Sequence, residues 1–154
     1  IGIKWLLNNV WDNVLSFNNG TILKLAGKNM PEWLLKHNQK NVEIVGQVED
    51  AIDFISQNQV MIVPLFAGGG MRIKIVEGMA MGKTVIATSI ALEGIDYVSN
   101  KNVIVANTKE EFISAINWCL KNKEEAKQIG ENALQLIHEK YDNNQIIKDL
   151  ISLF

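Results

Sequence analysis

Chemistry in this chain of 154 residues is concentrated in one stretch: three consecutive glycines, Gly68, Gly69 and Gly70, followed by Arg72 and Glu77. Without Cβ atoms, the glycines can take positive φ and let a ligand reach the peptide N–H groups closely. Arg72 is the sole arginine of the sequence and falls in the first turn of the helix expected after the turn, where the macrodipole disfavours a cation unless an anion is bound. Glu77 lies one further turn along, and a carboxylate there can accept two hydrogen bonds from a vicinal diol such as a ribose. On residue types alone a second reading stays open, in which Lys74 and Glu77 form a solvated ion pair and Arg72 is a surface residue.

The elements that must position these residues are readable around them. Val60 to Pro64 is an apolar run of strand length, and Pro64, lacking an N–H, should end it. From Met71 to Met81 the apolar residues recur at helical spacing (Ile75 with Met79, Val76 with Ala80). Gly82 is placed to stop that helix and Thr84 to Thr88 to supply the next strand. The glycine turn therefore sits at the carboxyl end of a strand and the N-terminus of a helix, where open α/β sheets bind ligands. Two look-alikes fail. Gly78, Gly82, Lys83 and Thr84 are one residue short of a P-loop and precede a strand, and Ile73 stands where G-x-G-x-x-G needs its third glycine.

The segment VPLFAGGGMRIKIVEGMAMGKTVIATSIALEGI resembles the donor-binding signature of the retaining GT-B-fold glycosyltransferases, the large family of group 1, or family 4, enzymes. The order of segments (ILKLAGKN, VEIVGQVED, the signature, then NVIVANTKEEF and a helical tail) resembles the C-terminal domain of that family from end to end. The resemblance implies transfer of a sugar from a nucleotide diphosphate sugar to an acceptor hydroxyl, in glycan, lipopolysaccharide or capsule synthesis, with no metal and no further cofactor. Glu77 matches the second glutamate of the family's E-x7-E motif, which holds the donor ribose. The first falls at Gly69, a departure shared by members with a Gly-rich loop. Gly46, Gln47 and Val48 match a turn whose peptide groups line the nucleobase pocket, and are equally readable as a plain strand-to-helix turn. N–H groups from Gly68 to Met71, with Arg72, would stabilise the departing diphosphate, and the loop carrying Glu93 and Gly94 would border it, with Glu93 equally readable as a local cap or pair.

Length and composition agree with a single soluble domain: 47% hydrophobic and 21% charged residues suffice for a core at this length. A net charge of -2 offers no case for nucleic acid. Cys119, alone, cannot form an internal disulfide, and its apolar neighbours imply a buried thiol. No run is long enough to span a bilayer, so a cytoplasmic protein is expected, peripheral at most to the inner face of a membrane.

In chain order the expected elements are a helix over IGIKWLLNNVWDNVL, a strand in TILKLAG, a short helix from Pro31 to about His37 and a strand from Asn41 to Gly46. A helix from Ala51 to Asn58 with Ile52 and Ile55 facing inward follows, then the central strand and the signature. Asn102 to Ala106 is the last strand. Thr108 and Glu111 form a capping box opening a helix through Cys119, and Asn122 to Tyr141 is another helix. Alternating strands and helices predict a Rossmann-like three-layer α/β/α fold with a mostly parallel sheet, one half of a GT-B fold. By the resemblance, residues 1–154 are a single nucleotide-sugar-binding domain truncated at its N-terminus, with the N-terminal acceptor domain absent. Acceptor groups, whether glycan or lipid-linked saccharide, would come from that missing partner. The tail, with Ile146, Ile147, Leu150, Ile151, Leu153 and Phe154, is apolar on more than one face and predicts self-association of the isolated chain. The fold alone also admits a non-catalytic nucleotide-binding module or a GT-B-shaped nucleotide-sugar epimerase.

Overall fold

The computed structural model of the chain describes residues 1–68, 72–140, 148, 151 and 152. Gly69, Gly70, Met71, the Arg72 side chain and, in the tail, Ile146, Ile147, Leu150, Leu153 and Phe154 lie outside the described residues. The expectations placed on those residues stay expectations.

Among the described residues five strands form, with helices between them except from β4 to β5, where the sequence also placed a loop. Helix α1 (Gly2–Leu6) runs through a π-helical turn (Leu7–Trp11) into α2 (Asp12–Phe17), and β1 (Leu23–Ala26), α3 (Glu32–Leu35), β2 (Val42–Gly46) and α4 (Ala51–Ser56) follow. Then come β3 (Val60–Val63), α5 (Arg72–Ala80), β4 (Thr84–Ala87), β5 (Ile104–Val105), α6 (Lys109–Lys121) and α7 (Lys123–Lys140). Every ladder is parallel: β1 with β2, and β3 with β4 with β5. No backbone hydrogen bond joins β1 to β3 among the described residues, so the parallel sheet consists of two hydrogen-bonded groups.

Side-chain alternation sorts the strands between two faces. Ile86 and Ile104, with Leu23 and Leu25, pack toward α1, the π turn, α2 and α6. Val85, Ala87 and Val63 pack toward α5 and α7, against Ile75, Met79, Ala133 and Ile137. A strand with period 2 must feed both faces, and helices on each bury what it presents. The layers are helix, sheet, helix.

Local chemistry explains where the helices end. The Thr108 hydroxyl accepts from the Glu111 N–H (3.2 Å) and the Glu111 carboxylate accepts from the Thr108 N–H (3.2 Å), completing the predicted capping box of α6. Gly82, at φ 72°, ends α5. Its N–H donates to the Met79 carbonyl (3.0 Å) and that of Lys83 to the Gly78 carbonyl (3.0 Å), the paired closure that needs a left-handed residue. Cys119 is buried, and burial pushes its thiol up to about 11, leaving it unreactive.

One inward face does not form as predicted. Ile52 is exposed and Ile55 half-buried, and α4 has no buried residue. The helix follows β2, which pairs only with β1 and exposes Glu43 and Val45. An outermost strand leaves a short helix beside it little to cover.

Candidate functional site

Within each ladder the strands run parallel, so β1 and β2 share one exit edge, β3, β4 and β5 share theirs, and the predicted site residues lie at or after the end of β2 or β3. Gly46 closes β2 at φ 78°, a conformation that favours glycine, with open space where a Cβ would stand. Its carbonyl accepts from the Gly27 N–H (2.8 Å), tying the β1 exit to the β2 exit. Gln47 is exposed and Val48 half-buried. The turn ends on Asp50, whose carboxylate accepts from the N–H groups of Ile52 (2.9 Å) and Asp53 (3.1 Å) and caps α4.

The β3 exit is held from three sides. Thr88, itself buried, donates its hydroxyl to the Leu65 carbonyl and accepts from the Ala91 N–H (3.2 Å), so one side chain links the exits of β3 and β4. Phe66 meets the edge of Trp5 at 4.7 Å between ring centroids. Gly2 lies against Pro64 so closely that a Cβ there would fall 1.8 Å from the Pro64 carbonyl oxygen. Beyond this braced segment, Gly68 takes φ 76° with open space beside it.

Glu77 is where structure goes furthest beyond sequence. It is 2% exposed, and neither carboxylate oxygen has a hydrogen-bond partner among the described residues. A solvated pair with Lys74 is therefore not what this residue is. Burial pushes its carboxyl above the ordinary value; the Lys74 ammonium draws it part of the way back, and the Asp50 carboxylate adds to the rise. A buried polar group without a partner costs about 1–3 kcal/mol, so its persistence needs an explanation outside the empty fold.

The structure places Gly46, Gln47 and Val48 at the β2 exit, Gly68 in the segment after β3 and Glu77 on α5. Asp50, which caps α4 after the β2 turn, and Thr88, which links the exits of β3 and β4, were not singled out from the sequence. Asp50 had a signal, an acidic residue directly before a short apolar helix. Thr88 had none, since its role depends on a strand pairing. His37 is half-buried with its Nε2 2.9 Å from the Gln39 Oε1, and His138 is exposed. Among the described residues no three His, Cys, Asp or Glu side chains are grouped to hold a metal ion, and no helix is long and apolar enough to cross a membrane.

Parallel ladders covered by helices on both faces, with a capped turn after β2 and a buried carboxylate on α5, define a Rossmann-like α/β class of domain. Within that class the chain belongs to the glycosyl transferases group 1 family, whose pattern matches residues 1–122. An uncharacterized 44.6 kDa protein of the Klebsiella pneumoniae cps region is 27% identical over 161 residues, covering 97% of this chain and 41% of that protein. In fold, the chain is similar to a glycosyltransferase from Rickettsia africae ESF-5 (TM-score 0.68, 19% identity, 95% of this chain and 44% of that one). It is also similar to Anabaena HepE crystallised with UDP (TM-score 0.67, 15% identity, 96% and 45%). The chain spans less than half the length of these relatives.

Proposed function

We propose that this chain supplies the donor-binding half of a retaining glycosyltransferase that moves a sugar from a nucleotide diphosphate sugar to an acceptor hydroxyl of a glycan or lipid-linked saccharide. The observation that carries the reading is the buried, unpartnered carboxylate of Glu77: a ribose diol supplies the two O–H donors its oxygens lack. Family membership supports the reaction class, and the similar Anabaena protein is crystallised with UDP and with UDP-glucose.

In this reading the peptide groups of Gly46, Gln47 and Val48 meet the nucleobase, Glu77 the ribose, and the N–H groups from Gly68 to Met71 with Arg72 the diphosphate. Departure of the sugar leaves negative charge on the diphosphate, and fixed donors with one guanidinium offset it without a metal ion. The acceptor and its base belong to the rest of a longer protein, acting in the cytoplasm or at the inner face of a membrane. A similar solved structure is titled the C-terminal domain of a group 1 glycosyl transferase from Francisella tularensis (TM-score 0.57, 17% identity, 67% of this chain and 55% of that one), which supports assigning this chain to the C-terminal half. So does the break in the sheet. The edges that β1 and β3 leave unpaired would be joined by one more parallel strand, which the longer protein would supply.

The test is a thermal-shift and calorimetry panel of nucleoside diphosphates at about pH 8, since a ligand that binds only the native state raises its melting temperature. Glu77→Gln should weaken the best ligand by about 1.5–3 kcal/mol, roughly 10- to 150-fold, by removing charge-assisted hydrogen bonds. Arg72→Ala should weaken the diphosphate far more than the bare nucleoside. Unchanged affinity in Glu77→Gln would remove the ribose role, and equal losses for both ligands in Arg72→Ala the phosphate role.

A further inference from the structure

Glu77 sits at the middle of α5 with both oxygens out of reach of water and of any donor among the described residues. Among the described residues the charged groups that act on it are Lys74, on its own helix, and Asp50, on the N-cap of α4. Among the described residues no further charge acts on it: β4 is Thr-Val-Ile-Ala, β3 meets α5 through Met61, and α7 shares core with α5 through Ala133 and Ile137. An isolated carboxylate in such a place is far less stable than the neutral acid. Two ligand hydroxyls reverse that preference, because hydrogen bonds donated to a carboxylate are charge-assisted and those to a neutral acid are not.

We propose that donor binding expels a proton: the empty site holds Glu77 as the neutral acid, and a diol filling it converts the group to a carboxylate, the proton passing to solvent. This rests on the ribose reading above and adds to it a dependence of affinity on pH. Burial and the Asp50 charge raise the carboxyl of the empty site above its ordinary value of 4.5. Through the interval up to that raised value, affinity climbs with pH, by at most about tenfold per unit for one proton. Above the interval it levels off.

Calorimetry with UDP-glucose, and with GDP-mannose as a second arm, tests this from about pH 5 to about pH 8 in paired buffers of different ionisation enthalpy. Both probes have a diphosphate esterified at each end and so release no phosphate proton of their own in that range. The expected result is a net release approaching one proton per ligand at low pH, with affinity rising as the pH rises. Both effects should vanish in Glu77→Gln. Asp50→Asn keeps the helix cap, since asparagine caps as well as aspartate, and should move the pH midpoint downward.

Wild-type binding with no buffer dependence, or with proton uptake, while Glu77→Gln still lowers affinity, would overturn the proton linkage and leave the ribose role standing. Release that persists in Glu77→Gln would assign the proton to another group and overturn it equally. Unaltered affinity in Glu77→Gln, or no binding of either probe by the wild type, would remove the site reading and the linkage with it.

Discussion

At the scale of single residues, Glu77 sets function against stability. Its folded-state carboxyl lies above the unfolded value, so below about pH 4.5 the group is protonated in both states and contributes nothing. As pH rises from there, the unfolded chain releases its proton while the native state retains it, and stability falls. The loss is complete once the folded value is passed. Glu77→Gln has no such titration, so its melting temperature relative to wild type should climb from about pH 4.5 upward and then hold level. The climb is confined to the interval between the unfolded and the raised folded value. A difference flat with pH in differential scanning calorimetry would rule out a buried, titrating Glu77. The residue type and its place behind a glycine turn were legible in the sequence. Its burial was not, because a nine-residue helix with Lys74 three positions away reads equally well as a solvated face.

Elements were legible where local chemistry decides them and illegible where tertiary contacts do. The capping box at Thr108 and the helix stop at Gly82 are written in a few adjacent residues, and both form. The π turn at Leu7–Trp11 is not written locally. Its Leu7 carbonyl accepts from the Gln39 amide (3.1 Å) and the Trp11 indole donates to the Lys40 carbonyl (3.0 Å), partners about thirty positions away. Gly130 belongs with the π turn. It looks like a flaw inside α7, yet a Cβ there would lie 2.1 Å from the Gly82 carbonyl oxygen and 2.9 Å from its carbon. The turn that ends α5 is therefore seated directly on α7. Gly130→Ala gains about 1 kcal/mol of helix propensity. It also forces two backbones apart, which no rotamer change relieves, at a cost at or above the top of the usual range of about 1–3 kcal/mol. The clash wins, and the denaturant midpoint should fall. A midpoint that rises would mean the α5–α7 contact is looser than the structure has it.

On the scale of the whole molecule, the alternating pattern made layers and parallel ladders predictable, but not the break between β1 and β3, since strand order depends on which strands are present to pair. Burial marks the break. Strand β4, paired on both sides, is buried at all four positions, whereas β3, paired on one side, is buried only at Val63. Both groups nonetheless pack on one shared core with α1 and α2, where Leu23, Leu25 and Ile86 meet with Val60 and Ile62 against them. Unpaired amides on inner strands of a parallel sheet are unusual, because such sheets are covered on both faces and cannot turn an edge to water cheaply. The proposed additional strand would satisfy the free edges of β1 and β3 together, and Gly2 lies against Pro64 at the β3 exit, the end from which a strand parallel to β3 would enter α1. Hydrogen exchange tests it. In the 154-residue chain the amides of Leu23–Ala26 and Val60–Val63 that do not donate within their ladders should exchange orders of magnitude faster than those of Thr84–Ala87. In the full-length parent they should slow to the level of β4. Equal exchange of these amides in the chain and in the parent would show that nothing enters between the two ladders.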